Sequence, residues 1–328
     1  MKIRLLVAVF ALCAAFSAAA LETVLTSDNV VYTVDGTAET NQLLLTRRTT
    51  DTVTAVVVPS TDDDDMESQA RLVWDAASST LFVVWNHRSS RGDEIRMAGL
   101  GSNGQWSQAL TVAGSAGLRR AGLQIVLSRA ETAGTGSPKA TLIHAAWWSL
   151  VDPAPIAEYA LVAFEGGEHV STEVDTLDSL APSYLDNETP PFEDTGIALH
   201  PPMALARTGN GVDVVYGRTG STTVRRISLD PQRVQSQARA WRPVGRSGEQ
   251  TGRTMMASSN SAPVQAFLSK GRIVLFTPDE QFRYMVYDDG HWSRLYMIKL
   301  DETLTSDQLV EQLHRTVDDL VSVAPAQQ

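Results

Sequence analysis

Apolar positions in this chain fall in short runs rich in Val, Leu, Ile and aromatic residues, separated by clusters of Gly, Ser, Asn, Asp and Pro. Such runs, bounded by turn-forming residues, read as β-strands. Spacings of three and four, the mark of an amphipathic helix, are nearly absent before residue 300. The stretch ARLVWDAASSTLFVVWNHRSSRGDEIRMAGLGSNGQWSQALTV shows the pattern most clearly. It predicts four antiparallel strands over Arg71–Trp74, Leu81–Trp85, Glu94–Gly99 and Trp106–Val112. Asn103-Gly104 reads as a type I′ turn between the last two, with positive φ at both central residues.

The pattern recurs. LQIVLSR, ATLIHAAWW and EYALVAFEGGEHVS form a second set, and PPMALARTGNGVDVVYGR with TTVRRISLD a third. APVQAFLSKGRIVLF with FRYMVYDDGHWSRLYMI forms a fourth. NVVYTVDG, QLLLTRR and VTAVVV, before residue 60, read as one more, partial or complete. Trp85, Trp148, Tyr216 and Phe276 each end the second strand of their set. Recurring four-stranded meanders with long, uneven connections point to a β-propeller. The expected fold class is all-β: a β-propeller of five four-stranded antiparallel blades over residues 21–300. A sixth blade fits if residues 171–200 or 230–262 hold one, and a pair of β-sandwiches is the alternative.

Two stretches, MAGLGSNGQWSQAL and MVYDDGHWSRL, repeat one pattern: an apolar run, Asn-Gly or Asp-Gly, one further residue, then Trp-Ser. They are expected to be corresponding turns between the third and fourth strands of two blades, with Trp106 and Trp292 opening the outer strands. After residue 300 the period changes. In TSDQLVEQLHRTVDDLVSV, Thr305 and Gln308 form a capping box, and Leu309, Leu313, Val317, Leu320 and Val321 share one face. A C-terminal amphipathic helix is expected within 301–323, packed on the domain or docking a partner, with a disordered tail at 324–328.

The first residues change the picture of where the chain works. Lys2 and Arg4 precede an apolar run from Leu5 to Phe16, followed by Ala18-Ala19-Ala20. That order describes a signal peptide over residues 1–20, cleaved near Ala20, and hence a periplasmic or extracellular protein. Cys13, the single cysteine, lies inside the apolar run, so the mature chain would fold without disulfides. No later run of eighteen apolar residues suggests a transmembrane anchor. The net charge is −11, and −13 once Lys2 and Arg4 are removed. So acidic a chain repels nucleic acid and anionic membranes, and neither is an expected partner.

The order apolar–Trp, turn, Val-Trp, Ile-Arg-Met, then Asn-Gly-x-Trp-Ser resembles the sialidase-like propellers that carry Asp-box repeats. Their repeat is a Ser-x-Asp-x-Gly-x-Thr-Trp turn between the same two strands. Asp288 and Gly290 match its Asp and Gly spacing, while Trp292 comes one residue early, the Thr is missing, and Ser102 stands at the Asp position of the earlier copy. The resemblance implies a propeller. Sialidase activity in that family uses three arginines on a carboxylate, a tyrosine nucleophile with a glutamate, and an aspartate acid/base. Arg119-Arg120, Arg225-Arg226 and Tyr184 are present, but no motif ties them to those roles, and no catalytic residue is carried over.

In an up-and-down propeller, the loops between second and third strands open on the same face as those joining one blade to the next. That face would collect Asp62–Asp65, Asn86–Glu94, Gly117–Gly122, WSLVDPAPIAE and Asp186–Asp194. Its candidate binding residues are His87, Arg88, Arg91, Asp93, Arg119, Arg120, Trp148, Asp186 and Glu188. Asp62, Asp63, Asp64 and Asp65 are calcium candidates, although the run lacks the alternation and glycine of a calcium loop and reads more readily as a solvated acidic loop. Arg91-Gly92-Asp93 spells an adhesion tripeptide that a simple turn also explains. Asn187-Glu188-Thr189 spells a glycosylation sequon. Trp147-Trp148 reads equally as a sugar-stacking platform or as blade core, and His144, within an apolar strand, as a satisfied core residue. The six histidines lack zinc spacing, no phosphate loop, dinucleotide fingerprint or Gly-x-Ser-x-Gly elbow is present, and no cofactor is expected.

These readings favour an exported, non-catalytic propeller that binds a glycan or an envelope protein on its loop face. The alternative is a glycoside hydrolase drawing carboxylates from Asp186, Glu188 and Asp62–Asp65, and a third possibility is adhesion or assembly through the terminal helix.

Overall fold

The computed structural model describes residues 22–26, 30–36, 42–59, 66–130, 140–151, 155–179, 203–207, 211–218, 221–228, 249–254, 265–269, 272–277, 282–288, 291–298 and residue 315. Their strands form five sheets. The first holds β1 (Glu22–Leu25), β2 (Val31–Gly36), β3 (Leu43–Arg48) and β4 (Val53–Val57). The second holds β5 (Met66–Asp75), β6 (Thr80–Ser89), β7 (Gly92–Leu100) and β8 (Leu110–Gly114). The third holds β9 (Arg119–Ala130), β10 (Ala140–Leu150), β11 (Ile156–Glu165) and β12 (Glu168–Ser179). The fourth holds β13 (Met203–Arg207), β14 (Gly211–Arg218), β15 (Ser221–Ser228) and β16 (Glu249–Thr254). The fifth holds β17 (Gln265–Ser269), β18 (Arg272–Thr277), β19 (Phe282–Asp288), β20 (His291–Trp292) and β21 (Tyr296–Ile298), the last two both pairing β19. Every pairing is antiparallel between sequence neighbours, apart from β19 with β21.

The all-β expectation therefore holds among the described residues, and the runs before residue 60 make a complete four-stranded set. Of residues 171–200 and 230–262, where a further set was allowed for, the described ones are the end of β12 and the whole of β16, in the third and fourth sheets, and the rest lie outside the described residues. Residues 1–20, Phe276's side chain and the proposed C-terminal helix lie outside what is described, except that Arg315 is helical. No helix among the described residues is long and apolar enough to cross a membrane.

Consecutive sheets pack face to face, and strand parity decides what each face meets. On β6, Leu81, Val83 and Trp85 join the core with the first sheet, while Phe82 and Val84 join the core with the third. On β10, Ile143, Ala145 and Trp147 face the second sheet, and Leu142, Ala146 and Trp148 face the fourth. A sheet covered on both faces needs continuous apolar runs, which is why LFVVW and TLIHAAWW do not alternate. The first strands also neighbour one another: β1 lies beside β5, β5 beside β9, β9 beside β13, and β13 beside β17.

The sheets are joined by side chains as well as by apolar contact. Gln69 Oε1 accepts the Leu123 N–H at 3.1 Å, and Arg71 Nε donates to the Leu123 carbonyl at 3.0 Å, so β5 satisfies both backbone groups of one β9 residue. At the opposite end of the same strands, buried Asp75 receives the Arg129 guanidinium, Thr141 Oγ1 at 2.6 Å and Ser78 Oγ at 2.6 Å.

The two repeated stretches share one arrangement of the serine on the preceding strand, across eight residues in the first and seven in the second. Trp292 lies in β20, whereas Trp106 makes only an isolated bridge to Leu100 and the outer strand β8 opens at Leu110, later than expected. Ser107 N donates to the Gly99 carbonyl at 2.7 Å while Ser107 Oγ accepts the Gly99 N–H at 2.9 Å. Ser293 does the same with Val286, at 2.8 and 2.9 Å. Trp106 and Trp292 pack against the cores beside them. The turn type differs from expectation. Only Gly104 has positive φ, at 75°, and Gly104 N donates to the Gly101 carbonyl while Asn103 Oδ1 accepts the Gln105 N–H. Asn103 thus spends its side chain stabilising a longer loop instead of entering the left-handed region that a type I′ turn requires.

Candidate functional site

In a meander, the end of the second strand, the start of the third and the start of the next sheet's first strand share one end of the molecule. There the second and third sheets meet through a buried polar network centred on Asp93, the second residue of β7. Its carboxylate is fully buried and takes the Arg120 N–H at 2.9 Å, Asn86 Nδ2 at 3.1 Å, Arg119 Nη1 at 2.9 Å and Arg88 Nε at 3.3 Å. Burial alone would raise its pKa, but the Arg120 amide, Asn86 and the guanidinium groups of Arg88 and Arg119 outweigh it and hold the carboxyl below its usual value. Two close approaches make this possible. Gly92 has φ of 135°, and a Cβ there would sit 2.8 Å from the Ser115 carbonyl; Asp93 N donates to the Leu118 carbonyl at 2.7 Å.

Arg120, also buried, donates to the Asp93 carbonyl and to Ser115 Oγ at 3.0 Å. Burial lowers its pKa, while Glu158, Asp93 and Glu94 offset part of that. Glu158 Oε2 accepts Trp147 Nε1 at 2.7 Å and Ser149 Oγ.

A second cluster lies one sheet earlier, on the face of the second sheet turned to the first. His87 Nδ1 is 2.7 Å from Glu67 Oε1 and both side chains are buried. Burial raises the Glu67 pKa, opposed in part by His87, by Arg96 and by the Trp85 indole.

The two clusters are one arrangement written twice. Gln69 and Ala70 together oppose Trp85, as Gly122 and Leu123 together oppose Trp147, and the first residue of each bulge has positive φ, 51° at Gln69 and 69° at Gly122. Counting outward from the bulge aligns Glu67 with Arg120 and His87 with Ser149, and the third-strand partners of the two tryptophans are Arg96 and Glu158. Each sheet therefore pairs a first-strand ion with a third-strand ion beside a tryptophan, with the signs exchanged.

The expected site residues separate into three groups. His87, Arg88, Asp93, Arg119 and Arg120 are brought together at this end, as one loop face would require. Yet His87, Asp93 and Arg120 are buried between sheets, while Arg88 and Arg119 remain partly open, with side-chain exposures of 30% and 48%. Arg91 is exposed in the adjoining turn, its carbonyl accepting the Gly117 N–H at 2.7 Å. Trp148 does not belong here: it and Trp147 are fully buried, so neither can stack on a sugar. Trp148 faces the fourth sheet, edge-on to Tyr216 at 6.0 Å, and the residue that matches Trp85 is Trp147. Asp186, Glu188, Asn187 and Asp62–Asp65 lie outside the described residues, and no metal-holding group of His, Cys, Asp or Glu occurs among the described ones. Arg91-Gly92-Asp93 does not present its carboxylate, because Asp93 is turned inward.

Glu67, Arg96, Ser149 and Glu158 were not singled out from sequence. The signal available was polar residues at parity positions that face a neighbouring sheet, near the ends of otherwise apolar runs. His144 is a core residue as expected, 2.6 Å from Ser128 Oγ and 2.7 Å from Tyr159 OH.

No family model and no curated protein matches the chain. Solved structures with some likeness include an exo-beta-1,3-galactanase from Phanerochaete chrysosporium with galactose, at 7% identity and a TM-score of 0.42 over 86% of this chain and 65% of that one. A prolyl endopeptidase aligns at 13% identity and 0.39, over 89% of this chain and 38% of that one. The subtype N10 neuraminidase-like protein of A/little yellow-shouldered bat/Guatemala aligns at 11% and 0.37, over 83% and 79%. The chain thus spans less than two thirds of the first two, and likenesses this distant assign no activity.

Proposed function

We propose that the chain is an exported β-propeller that serves as a non-catalytic binding module for an acidic glycan or protein ligand. The five sheets close around an axis lined by β1, β5, β9, β13 and β17, and residues 1–20 direct export. The ligand meets the loop end of the second and third sheets, where Arg88, Arg91 and Arg119 emerge. One observation carries this reading: the carboxylates of that network are already committed, Asp93 to donors from four residues and Glu158 to two. Carboxylates held this way make a rigid frame for loops. Exposed Arg91, with the solvent-facing parts of the Asp93-bound Arg88 and Arg119, is what remains to meet a ligand.

A glycoside hydrolase is the second reading, favoured by Glu67, whose raised pKa suits a general acid. A second carboxylate about 5–10 Å away would be needed, and Asp62–Asp65, Asp186 and Glu188 are the candidates that the sequence offers. A glycan array run beside a panel of fluorogenic glycosides, sialosides included, tests both. Binding without turnover is the expected result. Turnover abolished by Glu67→Gln, Asp186→Asn or Glu188→Gln would overturn the proposal.

A further inference from the structure

The arginines around Asp93 use their guanidinium groups differently. Arg120 is buried and engaged inside the network, on the Asp93 carbonyl and Ser115 Oγ. Arg88 gives Nε and Nη2, the two-donor edge of its guanidinium, to the Asp93 carboxylate at 3.3 and 3.4 Å. Arg91 is exposed, and among the described residues only its backbone is held, with Arg91 N donating to Ser89 Oγ at 3.1 Å. Arg119, which opens β9, differs from all three. Its Nη1 donates to Asp93 Oδ1 at 2.9 Å and to the Ser89 carbonyl at 3.4 Å. Both acceptors belong to one short turn, closed by Ser89 Oγ donating to the Gly92 carbonyl at 3.1 Å. Nε and Nη2 of Arg119 have no partner among the described residues, and the side chain is 48% exposed. A two-donor edge is thus held in place from behind and open in front.

We infer that Arg119 is the anchor of the ligand site, its Nε–Nη2 edge taking one singly charged oxyanion, a uronate carboxylate or a sulfate ester, through two parallel hydrogen bonds. This rests on the reading of the chain as a module for acidic ligands, and it names the residue and the group. The fork matches the spacing of two oxygens on such an anion. Charge sets the class. Asp93 cancels one of the two charges of Arg88 and Arg119, Glu158 answers Arg120, and Glu94 pairs with Arg96, so one positive charge is left at the fork. A phosphate monoester carries close to two negative charges at neutral pH and would find only part of them answered there. Arg91 adds attraction without direction. Asp93 is a positioning residue in this arrangement: it acts on the ligand only through the orientation of Arg119, which then loses little freedom on binding.

The probes are sodium galacturonate and a galactose sulfate ester, each titrated to about 50 mM at constant ionic strength, enough for a millimolar site. Proton–nitrogen correlation spectra of the mature chain read the Arg119 Nε–H. That resonance should move saturably with both probes; saturation by one alone supports the site and identifies the source of the anion. Arg119→Gln should weaken binding at least about tenfold, the loss expected for a hydrogen bond to a charged group. Arg119→Lys keeps the charge but has no fork, and should lose nearly as much. Asp93 keeps its bonds from Asn86, Arg88 and the Arg120 amide in both variants, so both should fold. Equal affinity of Arg119→Lys and the wild type overturns the inference, since charge alone would then suffice, and leaves the binding reading intact. An acidic glycan that binds without moving the Arg119 resonance does the same. If neither probe nor any acidic glycan binds, both fall.

Discussion

His144 offers the sharpest test of the packing described above. It is fully buried between Ser128 and Tyr159, and burial, helped by the positive charge of Arg207, drives its pKa down from 6.5 to about 3. A histidine neutral in the folded chain but free to protonate in the unfolded one stabilises the fold fully above pH 6.5, and that stability is lost as pH falls toward 3. At pH 5 an unfolded imidazole with pKa 6.5 is favoured by protonation about 33-fold, worth about 2 kcal/mol, while the folded one gains almost nothing. The figure depends little on the folded value, provided that value lies well below 5. At pH 4 the same arithmetic gives about 3 kcal/mol. The assay is urea unfolding at pH 8, 5 and 4 for the wild type and for His144→Gln, which keeps a donor and an acceptor but cannot titrate. The wild type should lose about 2 kcal/mol more than the variant between pH 8 and 5. Parallel curves, or a folded-state His144 resonance titrating near 6.5, would refute the reasoning.

Asp93→Ala should destabilise the fold by about 3–5 kcal/mol in urea unfolding, because it leaves Arg120 buried and Arg88 and Arg119 without their shared carboxylate. Gly92→Ala should lower the thermal midpoint sharply or prevent soluble expression, since the added Cβ meets the Ser115 carbonyl at 2.8 Å. Ser107→Ala and Ser293→Ala should each cost about 1 kcal/mol, and by similar amounts, because the two hydroxyls accept equivalent backbone N–H groups. Acrylamide should barely quench the emission of Trp85, Trp147 and Trp148, and ligand addition should leave it unchanged, as all three are fully buried.

The sheets were legible because sheet strands announce themselves by composition and turn residues, and LFVVW or ATLIHAAWW can hardly be anything else. The matching of Trp106-Ser107 with Trp292-Ser293 was legible for a related reason: a serine that replaces a ladder hydrogen bond must sit beside the turn that displaces the strand. The choice between Trp147 and Trp148 was not, since adjacent residues on a doubly covered strand are both buried and parity needs the register of its neighbours. The same limit hid Glu67, Arg96, Ser149 and Glu158, whose roles exist only once a neighbouring strand supplies the opposite charge. His87 and Asp93 were found by their place near a loop, but a loop sequence does not say whether a side chain turns outward or back between two sheets.

The sign reversal between the second and third sheets has a consequence for assembly. A chain built from similar sheets risks swapping strands between them while it folds. A hybrid joining β9 to β6 and β7 would bring Arg120 to Arg96, and one joining β5 to β10 and β11 would bring Glu67 to Glu158. Both mistakes bury like charges side by side, at a cost of several kcal/mol, whereas the native order buries opposites. The bulge and its tryptophan can therefore be common to both sheets without making their strands interchangeable, and the exchanged charges act as an address that tells each strand which sheet it belongs to.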